Sequence, residues 1–211
     1  MITLYGYPKT RSLRISWLLE ELGVDWQYHL VDLQQGQHKT AEYLSLNPAG
    51  KVPALTDGEL TLIESGAICQ HLAQKYGPQL LPQAGSDASG QHHQLVTFIL
   101  CELEQPLWTM GKHKFALPKA QRVEAILATA AWEFERAAAL LESWLPDEGY
   151  LLGEQFTVAD ILLTHTLNWA HGFKQPLSEK LDSYRQRVSA RPAMRAALSK
   201  ELAALPQASE S

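Results

Sequence analysis

Cysteine is nearly absent from this chain of 211 residues: Cys69 and Cys101 are its only two, and they form no Cys-x-x-Cys pair. With no secretory leader pattern at the start either, a disulfide scaffold and export have no support, and a reducing, cytoplasmic setting is expected. No apolar run reaches the roughly 18 residues a membrane span needs, so no membrane partner is expected. The net charge of -5 lacks the basic excess of a nucleic-acid or anionic-membrane binder. Eight histidines are present, but none falls in His-Glu-x-x-His or Cys/His ligand spacing, so no metal is expected. Internal repeats and low-complexity tracts are missing too.

What remains is an ordinary globular composition, 45% hydrophobic and 19% charged, with enough length for one large or two small domains. Met1 to Tyr5 reads as a strand, and Gly6-Tyr7-Pro8 breaks it. Ile15, Leu18, Leu19 and Leu22 then follow helical spacing until Gly23. Trp26 to Leu33 is a second strand, and weak helical character returns at Glu42 to Leu46. Asn47-Pro48-Ala49-Gly50 leads into the apolar Val52-Pro53-Ala54-Leu55, and Thr56-Asp57-Gly58-Glu59 separates it from Leu60-Thr61-Leu62-Ile63, a strong hairpin signal. Proline cannot donate to a sheet, so Pro53 marks an edge strand or backbone needed elsewhere, with a cis Val52–Pro53 bond expected. Such an edge can pair with an extended peptide. A helical pattern at Ile68, Leu72 and Tyr76 places Ser65 at a helix N-terminus, suited to a carboxylate, with Glu64 beside it for an amine. From the residues alone, Ser65 as a plain helix cap is the simpler reading.

This order, β-α-β, a connecting helix, then β-β-α, is the thioredoxin-like arrangement. Residues 77–90 read as a linker. Everything beyond is helical: one long helix marked by Val96, Ile99, Leu100, Leu103 and Leu107, another by Val123, Ile126, Leu127, Ala130, Phe134 and Leu141, with Pro118 at a helix start, then two short ones at Tyr184 to Val188 and Pro192 to Leu202. Thr157 and Asp160 form a capping box with Phe156 as staple. The tail from Pro206 is expected to fray. The fold class is therefore an α/β thioredoxin-like domain over 1–76, a linker over 77–90, and an all-α bundle over 91–211.

In such a first domain the turn after the first strand is the reactive place, because backbone N–H groups and the helix dipole converge there. Here it is Tyr7-Pro8-Lys9-Thr10-Arg11-Ser12, without a cysteine and so without dithiol chemistry of its own. Its two hydroxyls and two cations suit a bound thiol, whose free pKa of about 8.5 falls beside cations and helix N-termini. Thr10 and Ser12 as simple helix caps are the alternative reading.

The segments YGYPKTRSLR, GQHKTAEYLSLNPAGKVPAL, LIESGAI and LLGEQFTVADILL together resemble the cytosolic glutathione S-transferases, across nearly the whole chain. The resemblance implies a first domain that binds glutathione as co-substrate, with no separate cofactor, and a helical domain that supplies the pocket for a small electrophile. It implies that Val52 pairs its backbone with the cysteinyl part beside Pro53, that Glu64 and Ser65 hold the γ-glutamyl end, and that His38, Lys39 and Lys51 serve or flank the glycine end. A homodimer is also implied. One bacterial class carries a cysteine where this chain has Arg11, so mixed-disulfide chemistry does not carry over. Matching Gly6, Pro8 and Arg14 to the serine classes puts Thr10 on the activating position, with Arg11 adding charge. Ser12 is second choice, and Tyr5 and Tyr7 keep a tyrosine mechanism open. Tyr7, Trp108, Met110, Phe115 and Trp169 are candidates for the electrophile pocket, although such residues at helical spacing are more often core. The implied reaction is conjugation of glutathione to an electrophile; glutathione-dependent reduction of peroxides or disulfides, and a non-catalytic interaction module, are the alternatives.

Overall fold

The computed structural model describes residues 1–206; of the tail expectation only Pro206 falls within them. The described residues divide into two compact units, one of residues 1–78 with 190–206, the other of residues 79–189.

The first unit carries a four-stranded sheet in the order β2-β1-β3-β4, built from β1 (Ile2–Gly6), β2 (Trp26–Leu30), β3 (Ala54–Asp57) and β4 (Leu60–Ile63). β1 runs parallel to β2 and antiparallel to β3, which pairs antiparallel with β4 through Asp57-Gly58. Helices α1 (Ser12–Leu22), α2 (Ala41–Leu46) and α3 (Ser65–Tyr76) follow the expected order, and α1 stops at Gly23 in the left-handed conformation. α1 is buried from Ser12 to Leu19 because it is packed by β1, by α3 and by α9 (Pro192–Ala203).

Three expectations change here. The strand expected to open at Val52 opens at Ala54, since the proline cannot join a ladder. It is also an inner strand, flanked by β1 and β4, so no peptide-binding edge lies along it. The last helix, assigned by sequence to the helical domain, belongs to the first unit. A bidentate ion pair from Arg191 to Glu21 (2.6 and 2.7 Å) fixes its start on α1, and Lys200 lies 3.7 Å over the Trp26 ring. Amphipathic spacing tells that a helix has a buried face but not which neighbour covers it.

Asp57, buried at the hairpin turn, receives Lys75 Nζ (2.7 Å), Tyr76 Oη (2.7 Å) and His71 Nε2 (3.1 Å), all from α3. Burial would push its carboxyl up, but these bonds outweigh it and bring the pKa down to about 2. A lowered folded-state value stabilises above the unfolded carboxylate pKa of about 4, and that stability is lost as pH falls toward 2. Asp57→Asn is expected to cost about 1–2 kcal/mol at neutral pH, a difference that urea titrations should show shrinking below about pH 4 and gone near pH 2.

The second unit is helical among its described residues: α4 (Asp87–Phe98), α5 (Glu104–Gly111), α6 (Ile126–Trp144), α7 (Val158–Gly172) and α8 (Glu179–Ser189). The long helix expected around Val96 to Leu107 is α4 and α5 joined through a π-helical turn, Ile99–Leu103. The expected linker is only partly extended, since Pro78–Leu80 form a 3₁₀ turn and α4 begins at Asp87. Pro118 caps a 3₁₀ turn rather than starting α6, and Val123 lies 53% exposed ahead of it. The Thr157/Asp160 capping box is present, and Asp160 also accepts from Leu151 N and Tyr184 Oη.

Candidate functional site

Register alone gathers the candidate residues. Tyr5 pairs with Ala54 and Ala54 with Ile63. The turn after β1, the Val52-Pro53 step before β3 and the Glu64-Ser65 step after β4 therefore all emerge at one end of the sheet.

At the β3 step the Val52–Pro53 bond is cis, as expected. The ladder ends at Ala54, and outside it no backbone hydrogen bond among the described residues uses the amide or carbonyl of Val52. Its place is nevertheless fixed. The preceding carbonyl, of Lys51, accepts from Tyr43 Oη (2.6 Å) and Asn47 Nδ2 (2.7 Å). Gly50 has φ 59°, and a Cβ there would sit 3.1 Å from the His38 carbonyl, so the Asn47–Gly50 turn passes tightly against the Gln37–Lys39 turn. This brings His38 and Lys39 toward Lys51. Both lysines are exposed, while His38 Nδ1 is buried and without a hydrogen-bond partner among the described residues.

At the β4 step Glu64 has φ 69° and ψ 111°, a strained backbone for a residue with a side chain. It is the N-cap of α3, is exposed, and makes no side-chain cap bond, so the first N–H groups of the helix are not closed off by it. Ser65 is not the cap but the first helical residue. Its buried Oγ accepts from Arg14 NH1 at 3.0 Å, because a guanidinium buried within α1 must find acceptors. In the sequence Arg14 serves only to align the first turn.

In the first turn the two hydroxyls have different surroundings. Thr10 is half-buried; its Oγ1 donates to the Tyr7 carbonyl (2.6 Å) and accepts from Ser12 N (3.3 Å). Ser12 is fully buried, with Oγ accepting from Tyr7 N (3.2 Å) and bonded to Thr10 Oγ1 (2.8 Å). A Cβ on Gly6 would meet Ser12 Cβ and Oγ at 2.6 Å, so only glycine lets Ser12 sit there. Lys9, with φ 61°, turns the chain between Tyr7 and Thr10. Arg11 stands at the helix N-cap position and is half-buried. Tyr7 Oη accepts from Gln34 Nε2 (3.1 Å), and Tyr5 stacks at a tilt on His29. Cys69 is buried, which pushes its thiol up to about 12 and removes it as a nucleophile.

Four of the five electrophile-pocket candidates lie in the second unit. Trp108 and Trp169 approach to 6.4 Å between centroids, and Phe173 meets Trp169 edge-on at 5.7 Å and Phe115 at 6.2 Å. A Cβ on Gly111 would lie 3.4–3.7 Å from Phe115, Trp108 and Phe173, so the glycine leaves these rings room to converge. Met110 is core, 1% exposed, whereas Phe115 is 59% exposed. Tyr7 is carried by the first unit. Phe173 was missed because it follows the end of α7 and shares no helical period with Trp108.

Among the described residues no cluster of three or more His, Cys, Asp or Glu side chains could hold a metal, and no helix is long and apolar enough to cross a membrane. Residues 1–74 match the glutathione S-transferase N-terminal domain and residues 104–192 the C-terminal domain. Glutathione S-transferase 3 of Zea mays is 33% identical over 173 residues, 75% of this chain and 73% of that one. A glutathione transferase from Methylococcus capsulatus superimposes with TM-score 0.83 at 31% identity, covering 96% of this chain and 100% of that one. A family member from Pseudomonas fluorescens, solved with two glutathione bound, gives 0.80 at 28% identity over 93% and 92% of the two chains. With both domains matched and a relative of this identity spanning most of both chains, this protein belongs to the glutathione S-transferase family.

Proposed function

We propose that the chain is a glutathione transferase that holds its co-substrate across the sheet end just described, without a separate cofactor. One observation carries this reading: an unpaired backbone step at Val52 beside the uncapped N-terminus of α3, with a strained Glu64 between them. The Val52 amide and carbonyl suit the cysteinyl unit, as an extended peptide pairs with open backbone. The α3 N-terminus and Ser65 suit the γ-glutamyl carboxylate, and Glu64 its amine. His38, Lys39 and Lys51 are placed for the glycine carboxylate.

The sulfur then comes to Thr10. A thiolate offers a charged acceptor in place of the Tyr7 carbonyl, and charge-assisted hydrogen bonds are about twice as strong as neutral ones. Ser12 acts from behind by donating to Thr10 Oγ1, and Arg11 adds positive charge. The thiolate attacks the electrophilic carbon, forming a carbon–sulfur bond while the leaving group departs with its electron pair; the thiol proton has already gone to solvent. The ring cluster around Trp108, Trp169, Phe115 and Phe173 offers apolar surface for the electrophile. The protein acts in the cytoplasm as a homodimer, which light scattering at twice the chain mass would establish and a monomeric mass would refute.

Calorimetric titration with glutathione tests the binding assignment. Glu64→Ala, an exposed change, is expected to weaken affinity about tenfold or more through loss of a charge-assisted bond. Affinity unchanged by that substitution, or no binding to the unaltered protein, would overturn it.

A further inference from the structure

Glu201 of α9 is fully buried, far from any role assigned so far. Its Oε1 accepts from Ser16 Oγ at 2.5 Å, and its Oε2 has no hydrogen-bond partner among the described residues. Ser16 lies one turn along α1 from Ser12, and the same Ser16 hydroxyl reaches the Ser12 carbonyl at 3.4 Å. Ser12 in turn is bonded to Thr10. The buried acid thus reaches, through Ser16, the backbone of Ser12, whose own hydroxyl bonds Thr10, the proposed thiol donor.

Resting on the proposed glutathione chemistry, we propose that Glu201 is a positioning residue of the thiol-activating turn: as a carboxylate behind the first turn of α1 it opposes the thiolate, and as a carboxylic acid it relieves that opposition. The proton has a defined route of effect. An ionised Glu201 draws the single Ser16 hydroxyl hydrogen to itself. A protonated Glu201 can donate to Ser16 Oγ, which frees that hydrogen for the Ser12 carbonyl and removes the negative charge behind the first turn of α1.

Little in the surroundings neutralises the charge. From α1, Glu21 is consumed by Arg191, Glu20 lies 3.9 Å from Lys200, and Arg14 is turned to Ser65. From β2 comes the Tyr28 hydroxyl, buried and without a hydrogen-bond partner among the described residues, its pKa raised by burial, by Glu201 and by Tyr7. On α9 itself Lys200 donates to the Trp26 carbonyl. Burial accordingly raises the Glu201 carboxyl to about 7, the Ser16 bond offsetting only part of the effect. The change of charge therefore falls where the enzyme works.

The test is the ultraviolet thiolate absorbance of glutathione bound to the full-length protein, followed from pH 5 to 10. Across one helical turn plus two hydrogen bonds, on the order of 10 Å, a buried charge moves a neighbouring pKa by about half to one unit. The thiol titration of the unaltered protein should be broadened by an inflection near pH 7, where Glu201 ionises. Glu201→Gln, which preserves the Ser16 bond, should titrate in one step with the thiol pKa lower by about half to one unit. Glu201→Met, a second neutral variant, should behave alike. Ser16→Ala keeps the acid but removes the bond that lowers its pKa, so the step near 7 should move to higher pH. Superimposable titrations of the unaltered and Glu201→Gln proteins, or a step that stays in place in Ser16→Ala, overturn the inference while leaving glutathione binding intact. Failure of the unaltered protein to bind glutathione overturns the functional reading and this inference with it.

Discussion

Thr10→Ala is expected to lower kcat/KM for conjugation of glutathione to an activated aryl halide by about 100-fold, the size of effect seen when one preorganised donor to a developing anion is removed. The loss should appear mainly in kcat at saturating glutathione, because the glutathione contacts proposed for Val52, Glu64 and Ser65 are untouched. Thr10→Ser should stay within a few-fold of the unaltered enzyme: it keeps the hydroxyl and gives up only the methyl that restricts χ1. The burial of Ser12 makes the pair discriminating. A fully buried hydroxyl, already bonded to Thr10 and to the Tyr7 amide, acts on the sulfur only through Thr10. Ser12→Ala should consequently do less damage than Thr10→Ala. The reverse order in steady-state kinetics would assign the donor to Ser12 or to a tyrosine.

Glu201→Gln is expected to make the protein more stable above neutral pH. A carboxylic acid whose pKa rises from 4.5 unfolded to about 7 folded binds more protons in the folded state between those values. Stability is then fullest below about pH 4.5 and falls as pH rises to 7, after which the penalty is constant. At about 1.4 kcal/mol per pH unit the whole effect is roughly 3 kcal/mol. Glutamine carries no such charge, keeps the Ser16 bond and should flatten this part of the profile, giving a variant about 2–3 kcal/mol more stable at pH 8 and little changed at pH 4.5. Urea unfolding monitored by tryptophan fluorescence at the two pH values measures it. Parallel curves for the two proteins would show that the Glu201 carboxyl titrates alike in the folded and unfolded states.

The features legible in the sequence are those set by neighbours along the chain. The Asp57-Gly58 turn, the stop at Gly23, the cis Val52–Pro53 bond and the Thr157/Asp160 box each follow from a short pattern with a local physical cause. Glu64 and Ser65 stand out by their place at a helix start, although the positive φ of Glu64 has no sequence signal in a residue of that type. What escaped the reading depends on contacts distant in sequence. Arg14 is anchored 51 positions away on Ser65, and Ser16 meets Glu201 across 185. Periodicity assigned the last helix to the wrong unit because it records that a face is covered, not by what. Thr10 and Ser12 look interchangeable as letters, and only the approach of Gly6 to Ser12 shows that one is sealed in the core while the other is half-buried.

The central claim is that this sheet end binds glutathione and makes it a thiolate. Its most direct measurement is the pKa of the bound thiol, read from thiolate absorbance at saturating glutathione across the pH range. A value well below the free-thiol figure of about 8.5, rising back toward it in Thr10→Ala, is the expected result. A bound thiol that titrates like the free peptide would contradict the account.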